Sequence, residues 1–174
     1  MYSPTAEIIQ KANKIVCECE TRDSERIARD LDITVMPRPF KRQKGAYKVI
    51  ERNRFVFIKQ DLHPVLYKIV LLHEIGHDTN HRAEAIKAGG FREYNIFDIQ
   101  ASQMEYEANL FAAEVSLPTD DVLELIELDY TIQEIARALH SDFNLVAIKM
   151  DTLISQGYHL RSTEHRNDFL KYNR

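Results

Sequence analysis

No apolar run in this chain approaches the roughly 18 residues needed to span a membrane. The opening "MYSPTAEIIQ" lacks a basic stretch followed by an apolar one, so no secretory signal is expected. Cysteine is scarce. Cys17 and Cys19 lie two apart in "KIVCECE", point in different directions on a helix, and cannot bridge. That excludes a disulfide framework. Free thiols without an export signal place the expected location in the cytoplasm. Excess positive charge is also missing. Lys and Arg number 23 against 27 Asp and Glu, a formal charge of −4. On net charge, nothing marks a chain that mainly coats nucleic acid. There are no repeats and no low-complexity segment.

What is present suits a globular protein. The 174 residues fit one compact domain, or one with a small appendage. Apolar residues make up 44% and charged residues 29%, an ordinary balance. "SPTAEIIQKANKIVCECE" carries Ile8, Ala12, Ile15 and Cys19 at helical spacing, and "DSERIARDLDI" reads as a second short helix. "ITVMPRPF" is β-branched but broken by prolines, which suits an edge strand. "GAYKVIERNRFVFIKQD" predicts strands over 45–50 and 54–58. A helix then runs from Asp61 or His63–Pro64 through "VLYKIVLLHEIGHDTN". Residues 81–99 predict a loop or broken helix. "QASQMEYEANLFAAEVSL" predicts a helix stopped by Pro118. Helical stretches follow at about 119–128, 131–139 and 144–156. The order gives an α+β class: a mostly helical domain whose small antiparallel sheet, about three strands, precedes the histidine helix. Expected boundaries are 1–128 for that domain, 129–160 for a C-terminal helix pair, and 161–174 for a polar tail.

The chemistry centres on "LLHEIGHDTN", residues 71–80. His73 and His77, four apart on a helix, can aim their imidazoles at one ion. Glu74 is rotated by about 100° from His73 and suits a general base acting on a water at that ion. The residues before the motif, Val65 to Leu72, are largely apolar, so the helix carries three polar side chains inward. Leaving them unpaired there would cost several kcal/mol.

A catalytic zinc takes three protein ligands and keeps one position open. Candidates after His77 are Asp78, His81, Glu84, Glu93, Asp98, Glu105 and Glu107. The helix "MEYEANLFAAE" is the better source. Glu105 shares a face with its buried stripe of Ala108, Phe111, Ala112 and Val115, whereas Glu107 falls away from it. Asn109, one turn after Glu105, can hydrogen-bond a ligand histidine.

"HEIGH", followed 28 residues after His77 by "EYEANLFAAEVSLP", resembles the ImmA/IrrE family of metallopeptidases. Glu105, Asn109, Phe111, Ala112, Ala113, Glu114, Leu117 and Pro118 carry the second half of the resemblance. It implies His73, His77 and Glu105 as zinc ligands and Glu74 as catalytic base; manganese or iron could load the same donors. It implies a phage or mobile-element protein that cleaves a cytoplasmic helix-turn-helix repressor. The alternative is an antirepressor that grips the repressor without cutting it, and a third reading is a DNA-binding regulator with a structural metal. "RFVFIKQ" is the expected edge for an extended substrate, with Phe55 and Phe57 as contacts. Tyr94, Tyr106, His63 and His159 are candidate oxyanion stabilisers. "TIQEIARALHSDFNLVAIKMDTLISQGY" resembles a helix-turn-helix. Its local charge of −1 and apolar second helix favour packing over direct DNA binding.

Overall fold

A computed structural model describes residues 4–93 and 102–160. The chain forms two compact units, one up to Ser116 and one from Leu117.

The first unit opens with α1 (Pro4–Cys19) and α2 (Ser24–Asp30). Ile8, Ala12, Ile15 and Cys19 are buried at the expected spacing on α1. Asp23 caps α2 by accepting a 2.8 Å hydrogen bond from the Arg26 amide. Three strands follow: β1 (Ile33–Arg38), β2 (Gly45–Ile50) and β3 (Asn53–Lys59). Glu51 and Arg52, with φ of 49° and 68°, make the two-residue turn between β2 and β3, which matches the twist of the strands they join. Next come α3 (Pro64–Ala88), β4 (Phe91–Glu93) and α4 (Gln103–Ser116).

The sheet is mixed and four-stranded, in the order β1-β3-β2-β4. The expectation of about three antiparallel strands, all before the histidine helix, is corrected on both counts. The segment 39–44 carries the chain past β3, so β1 lies parallel to β3 while β2 runs antiparallel to it. β4 has three residues, too few to show an alternating pattern in sequence, and it joins β2 only after α3. β1 is an edge, as Pro37 requires.

α3 packs on β2 and β3 through one side and on α4 through another. Every residue from Ile69 to Asp78 is therefore buried, with no polar face. The helix is kinked at His81, whose φ of −129° and ψ of 24° are non-helical, and it ends on Gly89 in the left-handed region. At Gly76 the backbone of α4 comes close: a Cβ there would lie 3.1 Å from Ala108 Cα and 3.2 Å from Phe111 Cβ. Arg22 donates to the Glu114 and Val115 carbonyls at 3.0 and 2.7 Å, closing the end of α4.

The second unit contains α5 (Thr119–Glu127), α6 (Ile132–Ala138) and α7 (Phe143–Ser155). Thr131 and Glu134 form a reciprocal capping box on α6. Asp142 caps α7. α6 packs on α7, whose single cation, Lys149, is buried.

Candidate metal centre

α3 and α4 bring three donors to one point. His73 and His77 are buried on α3 and Glu105 reaches over from the first turn of α4. The two Nε2 atoms are 3.1 Å apart. Glu105 lies 3.1 Å from His73 Nε2 through Oε2, and 3.4 Å from His77 Nε2 through Oε1. A tetrahedral ion with bonds near 2.0 Å needs donors about 3.3 Å apart. The donor set fits such an ion, and all its ligand atoms lie within 4.8 Å of one another. Burial, above all, pushes the His77 imidazole down to about 4, partly offset by its hydrogen bond with Glu105. Burial raises the Glu105 carboxyl, but the two imidazoles that face it outweigh this and hold the group well below its ordinary range. An ionised carboxylate beside a neutral imidazole is the state a cation requires.

The far sides of both rings are held. His73 Nδ1 lies 2.9 Å from Asn109 Oδ1. The oxygen can only accept, so Nδ1 carries the proton and Nε2 keeps its lone pair. This is the part foreseen for Asn109. His77 Nδ1 lies 3.1 Å from His81 Nδ1, and His81 Nε2 lies 2.8 Å from Glu107 Oε2. The carboxylate fixes the proton on His81 Nε2, which leaves His81 Nδ1 to accept from His77 Nδ1–H. His77 Nε2 then also faces the centre with its lone pair. By sequence His81 is one of several candidate ligands and Glu107 falls away from the buried stripe of α4; the structure pairs the two behind His77. The i, i+4 spacing of His77 and His81 was the available signal. The kink at His81 could not be read from it.

Glu74 is fully buried beside the two histidines. β2 comes so close to it that a Cβ at position 45 would overlap the Glu74 carboxylate and approach Val70 Cγ1 to 2.8 Å. Gly45 thus makes room for Glu74.

The other candidates lie elsewhere. Asp78 is buried in a different cluster: Tyr47 donates to it at 2.6 Å, Arg82 at 2.8 and 3.1 Å, and Arg54 at 3.1 Å. Glu84 is exposed, Asp98 and Tyr94 lie outside the described residues, and Glu93 is described only as part of β4. Tyr106 follows Glu105 on α4 and is 41% exposed. His63 caps the start of α3, ten residues before His73 and so about 15 Å along the axis. His159 is exposed in the second unit. Phe55 and Phe57 lie on β3, which is flanked by β1 and β2. β3 has no free edge, so the expected pairing of an extended substrate along 54–60 is ruled out. Among the described strands, β1 and β4 are the outer ones.

An α+β domain with two histidines and a glutamate on one helix, and a carboxylate from the next, defines a metallopeptidase-type class. The chain belongs to the IrrE N-terminal-like domain family of M78 peptidases, whose pattern matches residues 28–151. This family is typically metal-dependent. The chain is also 26% identical over 134 residues to "Uncharacterized immunity region protein 2" of Bacillus phage phi105, covering 76% of this chain and 82% of the relative. That likeness supports the phage or mobile-element type. Among the described residues, no helix is long and apolar enough to cross a membrane.

Proposed function

We propose that the protein is a zinc-dependent, site-specific endopeptidase that cuts a cytoplasmic regulatory protein, a helix-turn-helix repressor of a phage or mobile element. The observation that carries this reading is the convergence of His73, His77 and Glu105 beside a buried Glu74. Metal binding alone gives no reason to bury that fourth group there. The immunity-region name of the phi105 relative supports a repressor as the partner.

When bound, zinc supplies Lewis acidity and makes a water acidic near neutral pH. His73, His77 and Glu105 would hold the ion; manganese or iron suits the same donors. Asn109 and His81 keep both Nε2 atoms unprotonated and aimed. Glu74 takes the proton of the attacking water on a carboxylate oxygen as the water oxygen bonds to the peptide carbon. It returns the proton to the amide nitrogen as the C–N bond breaks, leaving a new carboxyl end and a new amine. The burial around Glu74 excludes competing water.

The test incubates the zinc-loaded protein with the helix-turn-helix regulator encoded beside it, using wild type and Glu74→Gln, with fragments read by mass spectrometry. Cleavage by wild type alone is the expected result. A stable complex with both proteins and no fragments would replace the protease with a non-cutting antirepressor.

A further inference from the structure

The formal charge of −4 hides a strong internal asymmetry. Residues 36–60 contain eight Lys and Arg and one Glu, a local charge of +7, so the remainder carries −11. The fold places three of these cations, Arg38, Lys48 and Lys59, on one face of the sheet, while Arg54 turns to the other face and pairs with Asp78. Gly45 and Tyr47 of β2 point at α3, meeting Glu74 and Asp78. α2 meets the same side of β1 at Ile33 and Val35. The alternate residues therefore point to the opposite face of the sheet.

Register arranges that face in rows. Arg38 stands opposite Lys59 at one end of the strands. The next row runs Met36, Phe57, Ala46, Arg92 across all four strands, and the one after it runs Thr34, Phe55, Lys48. Phe55 and Phe57 are half-buried and near-parallel, with centroids 6.0 Å apart. The Arg38 guanidinium lies 5.1 Å from the Phe57 centroid. A hollow of about 290 Å³ opens here, lined by Arg38, Phe40, Lys48, Phe57 and Arg92 among others. None of the described strand residues on this face is acidic. Lys41 and Arg42, both exposed, extend it past the end of β1.

We propose that this sheet face binds single-stranded nucleic acid. Cations would neutralise phosphates, and Phe55, Phe57 and Phe40 supply the flat apolar surface on which bases stack. Charge complementarity alone would admit an acidic protein segment. The aromatic rows set between cationic positions favour a ligand that alternates anions with flat rings. The net charge and the C-terminal helix pair both argue against direct DNA contact. α7 indeed exposes no cation, but neither argument weighed the sheet.

The test is fluorescence anisotropy of a labelled oligothymidylate of about 20 nucleotides, in salt from about 50 mM upward. The full chain is expected to bind it, with log affinity falling linearly as log salt rises. Lys48→Glu with Arg92→Glu should weaken binding at least tenfold. Phe57→Leu should weaken it about five- to hundredfold, the cost of losing one stacked base, and leave the salt slope unchanged. Glu74→Gln and Arg137→Glu should bind like wild type, with circular dichroism confirming that all variants fold. No binding at low salt, equal binding by the double charge reversal, or equally good displacement by polyglutamate would overturn the proposal. The last result would reassign the face to an acidic protein.

Discussion

At the residue scale the centre depends on proton placement as much as on donors. Asn109 and the His81–Glu107 pair each force a ligand ring to present Nε2. His81→Ala is expected to lower zinc affinity about 10- to 100-fold, measured by competition with a chromophoric chelator. Glu107→Gln should have a smaller effect, since its amide oxygen still accepts from His81. Equal zinc affinity in His81→Ala and wild type would show that the His77 tautomer does not depend on its neighbour. Gly45→Ala separates binding from chemistry. The atoms nearest its Cβ belong to Glu74 and Val70 and not to a donor, so zinc content should stay at wild-type level while cleavage falls. Lost zinc in that variant would mean β2 also braces the ligands.

At the scale of elements, the distance between α3 and α4 sets whether Glu105 can reach the histidines. Gly76 permits the close approach. Gly76→Ala should push the helices apart by a few tenths of an ångström and destabilise the fold by about 1–3 kcal/mol, read by denaturant unfolding, with weaker zinc binding alongside. α3 is tied to the sheet by a second polar cluster, in which buried Asp78 accepts from Tyr47, Arg54 and Arg82. Tyr47→Phe keeps the ring and removes one hydrogen bond to a charged, buried acceptor, so a loss of about 1.5–3 kcal/mol is expected. A loss under about 0.5 kcal/mol would mean that the two arginines satisfy Asp78 alone.

At the scale of the molecule, ligands and pH act through linkage. An ion held by the folded state alone adds about 4 kcal/mol when present at 1,000 times its dissociation constant. Stripping zinc with a chelator should therefore lower the melting temperature of wild type and leave a Glu105→Ala, His73→Ala double variant unchanged. Alkali acts at Tyr67. Burial and its 3.0 Å hydrogen bond to Glu25 raise this phenol to about 12. A phenol whose folded value exceeds its unfolded value near 10 gives stability that is full below pH 10 and lost as pH rises through 12. Tyr67→Phe should flatten that part of the stability profile, and an unchanged profile would place the alkaline loss elsewhere.

The local code of the chain determined a good deal. Helical spacing located α1, α3, α4 and α7, and Pro37 marked an edge strand. "HEIGH" with the later Glu105 and Asn109 picked out the side chains that converge, because i, i+4 geometry and a buried carboxylate on an apolar stripe are local facts. The tertiary structure alone decided what depends on which segments meet. The crossing of 39–44 made β1 parallel and enclosed β3. The kink at His81 joined His81 to Glu107. Gly45 and Gly76 became contact points only when another element arrived opposite them. Strand alternation turned Arg38, Lys48, Lys59, Phe55 and Phe57 to one side of the sheet and sent Arg54 to the other, against Asp78. Such features rest on contacts between residues far apart in sequence, and spacing along a single segment holds no record of them.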